Sequence, residues 1–577
     1  MSARPGYDVL IIGAGMYGLQ AARTYLEIYP NAKLVILEGS EQLGGAWSQG
    51  RVYDTLWTQD SHSVAEFSDV RLPLEPDQLN CGLFRATHMT AYLENYAHSH
   101  KYAGFSVADR IRFACRVTRV SKTADGKTCW VVETEQKDGR PARTFHADKV
   151  IDASGITSEP ALPDLPNLHA FGGTRMHAID LASNQLQGNE KVMRIVVVGG
   201  AKSAADAAYA LAKAGKIVHW VVRKSGGGPC WYAPLHPKPP FTSTDEPLLT
   251  RVLFYIMSSH FVKDTLLVRF MNRTAIGRWL TRFAWKTIEA DFRKRARYDR
   301  NDATAVENGF KNLIPDTPLF WANDNTGVEQ RDDFFDTIAT KVRVYRDDIT
   351  QVETNAVVLS DGTKIEIDAL VFGTGWRQAP SHYDEQTALD LGLPVPIAGP
   401  TGSVERQRWD AADGEAEKRV LQRFPILSDP PRYNKRTASM TPYRLYRCIL
   451  PVQDPSIVFL GRMSIINGWR VAEVQSLWAV AALNGRLPTA TAMTTNKGEM
   501  QMRQEVADTV MWCARRYLDK GAMANWFLWD CVAYTDVLLG DLGLVSHLGK
   551  EGLLEPCRAQ SLRGLIGEYK ARYGSEE

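Results

Sequence analysis

Short apolar runs alternate with helical periods along most of the chain. Val9-Leu10-Ile11-Ile12 has no polar interruption, the pattern of a strand buried on both faces. It ends in Gly13-Ala14-Gly15-Met16-Tyr17-Gly18, after which Ala21, Ala22, Tyr25 and Leu26 recur at helical spacing. A second apolar run, Leu34-Val35-Ile36-Leu37, delivers Glu38. The same rhythm restarts at Arg194-Ile195-Val196-Val197-Val198. There the turn is Gly199-Gly200-Ala201-Lys202-Ser203-Ala204, the helix runs through Ala205, Ala208 and Leu211, and the closing strand is Ile217–Val222. Two βαβ units are predicted.

Between them, residues 105–135 alternate as an antiparallel meander that includes Val117-Thr118-Arg119-Val120, and Val150 to Gly155 reads as a strand ending in small residues. Phe84 to Ala97 predicts a helix with Thr87 as its N-cap. Pro160 to Pro166 marks a boundary. Residues 226–310 break the rhythm with Gly- and Pro-rich loops, then a helical stretch from Leu248 to Tyr298 whose apolar residues are interleaved with arginines. We read that stretch as an amphipathic insert. Strands resume at Val342–Val344, Ile349–Val352, Val357–Leu359 and Ile365–Phe372, the last running into Gly373-Thr374-Gly375-Trp376. Ser456 to Gly461 is a further strand and turn, a helix begins near Glu473, and residues 490–577 are mostly helical. The fold class is α/β: two Rossmann-like dinucleotide-binding domains with a helical insert and a helical C-terminal extension.

The turns carry the chemistry. Gly13 permits a tight turn, Gly15 lets backbone approach a pyrophosphate, and Gly18 lets helix and strand pack closely; the helix N-terminus adds free N–H groups. Glu38, 20 residues past Gly18, is placed to accept hydrogen bonds from a ribose diol. Gly44-Gly45-Ala46-Trp47 is a second glycine turn suited to a flat or charged ligand. Where the first unit ends in an acid, the second ends in Arg223-Lys224. Two cations there suit a 2′-phosphate and favour NADPH over NADH.

Composition narrows the class. The 577 residues are 44% hydrophobic and 23% charged, with net charge +2, which gives no reason to invoke nucleic acid or an anionic membrane. The eight cysteines contain no C-x-x-C and read as free thiols in a reducing compartment. The chain enters its first strand almost at once, leaving no room for a signal peptide, and Val252 to Val262 is about half a membrane span. We read a cytoplasmic protein with no transmembrane segment, and leave surface association through an amphipathic helix open.

Together, several motifs resemble the flavin-containing monooxygenases that bind FAD and NADPH on one polypeptide. They are Gly13/Gly15/Gly18 with Glu38, Gly44-Gly45-x-Trp47, Phe171-x-Gly173-x-x-x-His177, Gly199 to Asp206, Gly373-Thr374-Gly375-Trp376 and Glu473-x-Gln475-x-x-Trp478. The resemblance covers about residues 5–485 and is strongest to longer members of fungal natural-product pathways. It implies a discontinuous FAD-binding domain at 1–185 and 365–485, an NADPH-binding domain at 190–364 with the insert at 240–310, and an extension at 486–577. FAD would meet Gly13, Gly15, Gly18 and Glu38, with its flavin near Gly45, Trp47, Thr58 and Gln59; Val117 and Gly375 are further cofactor-binding residues. NADPH would meet Gly199, Ser203, Arg223 and Lys224. The implied reaction is reduction of the flavin by NADPH, formation of a C4a-(hydro)peroxyflavin with O₂, and transfer of one oxygen atom to a small organic substrate. Gln59 is the catalytic candidate. No metal is implied, and homo-oligomerisation stays open. Three departures stand out: Gln59 where heteroatom-oxidising members have Asn, Leu181 where the linker motif has an aromatic, and Ala201 at the central glycine of the second turn. Hydroxylation at nitrogen, sulfur or activated carbon is favoured over Baeyer–Villiger insertion, with an NADPH oxidase or flavin oxidoreductase as the alternative without oxygen transfer, and a non-catalytic flavin-binding scaffold last.

Overall fold

The computed structural model describes residues 6–123, 129–136, 141–184, 186–323, 326–398, 404–487 and 495–574. The first sheet runs in the order Ile111–Arg112, Leu34–Leu37, Tyr7–Ile12, Arg143–Asp152, Trp130–Gln136, Cys115–Lys122. Ile457–Phe459 lies parallel to the end of Arg143–Asp152. The middle strands are parallel and the last three form an antiparallel meander; Ile111–Arg112, expected within that meander, instead pairs parallel with Leu34–Leu37 at the opposite edge. Val9, Leu10 and Ile11 are fully buried. Val9 and Ile11 enter the core on one face of the sheet, while Leu10 and Ile12 enter that on the other, as strand alternation demands.

The second sheet is parallel throughout: Val342–Arg346, Ile217–Val222, Arg194–Val198, Ala369–Phe372, Thr174–His177. This corrects two sequence expectations. Ala369–Phe372 belongs to the second sheet and not to the first domain, and Thr174–His177, also expected in the first domain, forms the second sheet's edge. Leu370 and Val371 are fully buried between parallel neighbours, and only sheet pairing satisfies their backbone there. The crossing between units is therefore made by two linkers, 153–173 and 373–383, which touch through a bridge between Pro160 and Trp376.

Two local expectations are also revised. Helix Thr87–Ser99 begins at Thr87, so its N-cap is Ala86, which makes no side-chain cap. The insert is broken into short turns and helices, of which the two longest, Leu266–Arg273 and Ala275–Ala296, are each N-capped by a threonine, Thr265 and Thr274.

The C-terminal extension is helical, as expected, and woven into the first unit. Its helices Asn496–Gly521, Cys531–Asp541 and Leu565–Tyr573 share the core cluster that holds Val9 and Ile11. Arg447 reaches Asp541, Arg251 reaches Asp536 and Glu551, and Lys570 reaches Glu27. Gln475 donates to the Tyr534 hydroxyl at 2.8 Å and Trp478 to Asp541 at 3.1 Å, so the Glu473-x-Gln475-x-x-Trp478 motif anchors this segment.

Asp152, at the end of the central strand, fastens the linkers. Its carboxylate accepts hydrogen bonds from His382 (2.9 Å), Tyr383 (2.9 Å), the Ser154 N–H (3.0 Å) and Arg462 (2.6 Å). Burial alone would raise its pKa, but Arg462, His382 and the Ser154 N–H outweigh burial and hold it well below the usual carboxylate range. A depressed folded-state pKa adds stability above the ordinary aspartate value, and that stability is lost as the pH falls through it. Asp152→Asn should therefore cost ~3–5 kcal/mol at neutral pH by urea unfolding and flatten the acid limb of the stability curve below about pH 4.

Candidate functional site

A cavity of about 730 Å³ lies along the first glycine turn. Glu38, Ser40, Arg116 and Val117 line it, as do Gly13, Gly15, Gly45, Trp47, Arg51, Arg377 and Arg462. Its shape follows from close backbone contacts. A Cβ on Gly18 would sit 1.9 Å from the Gly13 carbonyl oxygen, so only glycine lets the helix start there. Gly13 has φ +99°, and a side chain on Gly15 would project toward Gly45, its Cβ 3.6 Å from the Gly45 Cα. Glu38 accepts from the Ala14 N–H at 2.8 Å and from the Ser40 N–H at 2.9 Å, which fixes its carboxylate beside the turn. Val117 sits where a bulge shifts the register of its strand. Arg51 donates to the Thr157 carbonyl and lies 5.1 Å over the Trp376 ring; burial lowers its pKa to about 10 against the pull of Glu38 and Asp180.

The second turn repeats the device with different contacts. Gly199 has φ +136°, and a Cβ on it would meet the Gly373 carbonyl oxygen at 2.2 Å. Helix Lys202–Lys213 starts after Ala201, which adopts extended backbone and fits without glycine. Ser203 stands in its first turn, half-buried. Arg223 and Lys224 diverge. Lys224 pairs with Asp347 at 3.1 Å, whereas Arg223 is partly buried, its pKa lowered by burial and by Arg436 against Asp348. A Cβ on Gly227 would lie 3.6 Å from the Arg436 guanidinium, so Arg436 also borders this loop.

A seam joins the units along residues 55–60. Lys202 donates to the Trp57 carbonyl, and Arg331 donates to that of Thr55. The Gln59 carboxamide donates to the Glu329 carbonyl at 3.1 Å and accepts from the Glu329 N–H at 2.8 Å. Thr58 is buried against the Phe84 backbone. Neither Thr58 nor Gln59 is among the residues lining the large cavity, and the Gln59 amide is engaged by the second unit's backbone. Gly375 also stands off the cavity lining. Its carbonyl accepts from His177 Nε2 at 3.1 Å and from the Ala161 N–H, and its φ of +88° requires glycine at the linker crossing. His177 Nδ1 accepts from the Ile179 N–H, so Nε2 carries the proton. Trp376 stacks edge-on at 4.7 Å.

Residues 10–230 match the model of the pyridine nucleotide-disulphide oxidoreductase family. The chain is 30% identical to the FAD-dependent monooxygenase rstn6 of Aspergillus nomiae and 31% identical to the FAD-dependent monooxygenase resA of Aspergillus sclerotiorum, with 99% of both chains covered in each case. The chain belongs to the FAD-dependent monooxygenases. Its fold is that of cyclohexanone monooxygenase from Rhodococcus sp. Phi1, a structure bound to NADP⁺, at 17% identity and a TM-score of 0.56 over 95% of this chain and 99% of that one. None of the eight cysteines of this monooxygenase is joined in a disulfide.

FAD fits the large cavity of this monooxygenase. Its lining combines what such a cofactor needs: an acid at a strand end, close-packed backbone at the glycine turn, an aromatic and several arginines. The sequence reading missed Arg51, Arg377 and Arg462, because a lone arginine carries no local signal. It also missed three carboxyl groups under the seam. Asp245 and Glu329 are buried, Asp60 is half-buried beside them, and the three feel one another electrostatically. Burial and then Asp245 push Asp60 up to about 7, burial raises Asp245, and burial with both neighbours holds Glu329 well above its ordinary value. Glu329 Oε2 has no hydrogen-bond partner among the described residues. Tyr17 links this group to the cavity, which it lines, and its own ionisation is suppressed by burial, with Cys531 and Asp60 adding.

A raised folded-state pKa adds stability below the unfolded value that is lost as the pH rises through the folded one. For Asp60 that window runs from its ordinary 3.8 to about 7. Urea midpoints should fall across this window, and Asp60→Asn should flatten the decline; an unchanged slope would remove Asp60 from the titrating set.

Proposed function

We propose that this monooxygenase holds FAD on the first unit and NADPH on the second, and transfers one oxygen atom from O₂ to a small organic substrate of natural-product type. The observation that carries the reading is the pairing of the large cavity on the first glycine turn with a second glycine turn across a hydrogen-bonded seam. The NADP⁺ bound to the Rhodococcus enzyme of the same fold supports the second half. FAD held there would supply the redox chemistry: hydride acceptance and O₂ activation.

The chain's own residues position and shield. Glu38 accepts from the ribose diol, and Gly13, Gly15 and Gly18 let the helix N-terminus face the pyrophosphate. Arg51 would offset phosphate charge, while Arg462 is already held by Asp152; Val117 would border the adenosine end, and Gly45 with Trp47 would wall the ring end. On the second unit Gly199 and Ser203 face the pyrophosphate, and Arg223 with Arg436 receives the 2′-phosphate; Lys224 contributes less because Asp347 already holds it. Gln59 is a positioning residue that locks the seam through Glu329, and Gly375 acts through His177 at the linker crossing. Asp60, pushed up to about 7, is partly protonated at neutral pH beside Tyr17, which lines the cavity.

Glu38→Ala should purify with most of its FAD lost, read from the flavin-to-protein absorbance ratio. Arg223→Ala should raise KM for NADPH about tenfold or more while leaving that for NADH within about twofold; an equal effect on both would sink the 2′-phosphate role. The decisive test mixes the enzyme with NADPH without oxygen, then with ¹⁸O₂ and a panel of amines, thioethers, phenols and ketones. Flavin bleaching, a peroxide yield below the NADPH consumed and ¹⁸O in a product are expected. Peroxide equal to NADPH with every compound would make the protein an oxidase, and failure to bleach would remove the NADPH site.

A further inference from the structure

The helical insert turns an apolar stripe outward. On helix Ala275–Ala296, Ile276, Trp279, Leu280 and Phe283 recur at i, i+3, i+4 and i+7, the spacing that normally faces a core. Here they are 65%, 60%, 36% and 57% exposed, while Gly277, Thr281 and Trp285 supply the inward face. The preceding helix, Leu266–Arg273, exposes Leu266, Leu267 and Phe270 in the same way. The two helices meet tightly: a Cβ on Gly277 would lie 2.2 Å from the Phe270 carbonyl oxygen. Trp279 and Phe283 stack at 5.5 Å with nearly parallel rings, making one flat aromatic surface. A single exposed apolar side chain is ordinary; this concentration on consecutive helices is not.

The rim is basic. From 263 to 286 the chain carries Lys263, Arg269, Arg273, Arg278, Arg282 and Lys286 against one acid, Asp264. That acid is shared by Arg269 and Arg273, and Arg282 comes only within 4.0 Å of Asp429. The near-neutral charge of the whole chain hides this local excess. Among the described residues no helix is long and apolar enough to cross a membrane.

We propose that this face docks on an anionic lipid surface. The aromatic and aliphatic side chains would enter the headgroup region with the helices lying in its plane, while the arginines and lysines meet lipid phosphates. A second copy of the chain fits less well, because a two-fold contact would set like-charged rims against each other.

Sedimentation of the FAD-loaded enzyme with vesicles tests this. Binding to vesicles of phosphatidylcholine with added phosphatidylglycerol is expected, with little to phosphatidylcholine alone, and release as salt is raised. Arg278→Gln with Arg282→Gln should weaken binding about tenfold, and Trp279→Ser with Phe283→Ser at least as much. FAD content, unchanged in both variants, reports that they fold; Leu266→Ser on the other helix repeats the test should either variant fail that check. Wild-type enzyme that stays in the supernatant with both vesicle types would overturn the proposal. So would variants that bind as wild type does, or a dimer dissolved by the Trp279 and Phe283 substitutions, which would give the face to a second copy.

Discussion

A single buried carboxylate holds the two halves of the molecule in relation. Asp152 ends the central strand at the edge where parallel sheets bind their ligands, and its partners come from both linkers' ends and from the turn after Ile457–Phe459. A charge at that depth is tolerable only because each of its lone-pair directions meets a donor. The network therefore fixes where the chain leaves the first sheet, where it returns, and how Arg462 is presented to the cavity. Nothing else on the linkers is as tightly specified.

The two joints in the molecule are built from different materials. The C-terminal helices are held to the first unit by buried ion pairs, indole donors and a shared apolar core, which water does not replace. The second unit is held at the seam mainly by hydrogen bonds to backbone carbonyls at Thr55, Trp57 and Glu329, which water replaces at modest cost. The second unit's insert is also tied to those helices, through the ion pairs of Arg251 with Asp536 and Glu551, so the seam is the softer of its two joints. The acids under the seam make that joint sensitive to protons, since Asp60, Asp245 and Glu329 repel one another once ionised.

The local grammar of the fold was legible in the sequence. Uninterrupted apolar runs named the parallel strands, and the glycine spacings named both turns, because strand burial and close backbone approach each restrict residue type strongly. Whatever depended on partners distant in sequence was not legible. Ala369–Phe372 reads as a strand, yet nothing in its four residues says which sheet it joins. Family position puts Thr58 and Gln59 near the ring, but it says nothing of the bond from the Gln59 amide to the Glu329 backbone, 270 residues away. Thr87 has the chemistry of an N-cap and sits one residue too late, since helix ends are set by how the chain enters. Asp60, Asp245 and Glu329 carry no shared motif; only folding brings them together.

The weaving of the last helices into the first unit sets the order in which the molecule can be completed during synthesis. Helix Leu565–Tyr573 reaches back to the first helix through Lys570 and Glu27, and the Ala559 N–H bonds to the Ser63 carbonyl. The N-terminal βαβ unit leaves the ribosome early, but part of the apolar surface around it stays uncovered until more than five hundred further residues have emerged. A chain cut short anywhere in the final helices therefore leaves the first domain's apolar core partly bare.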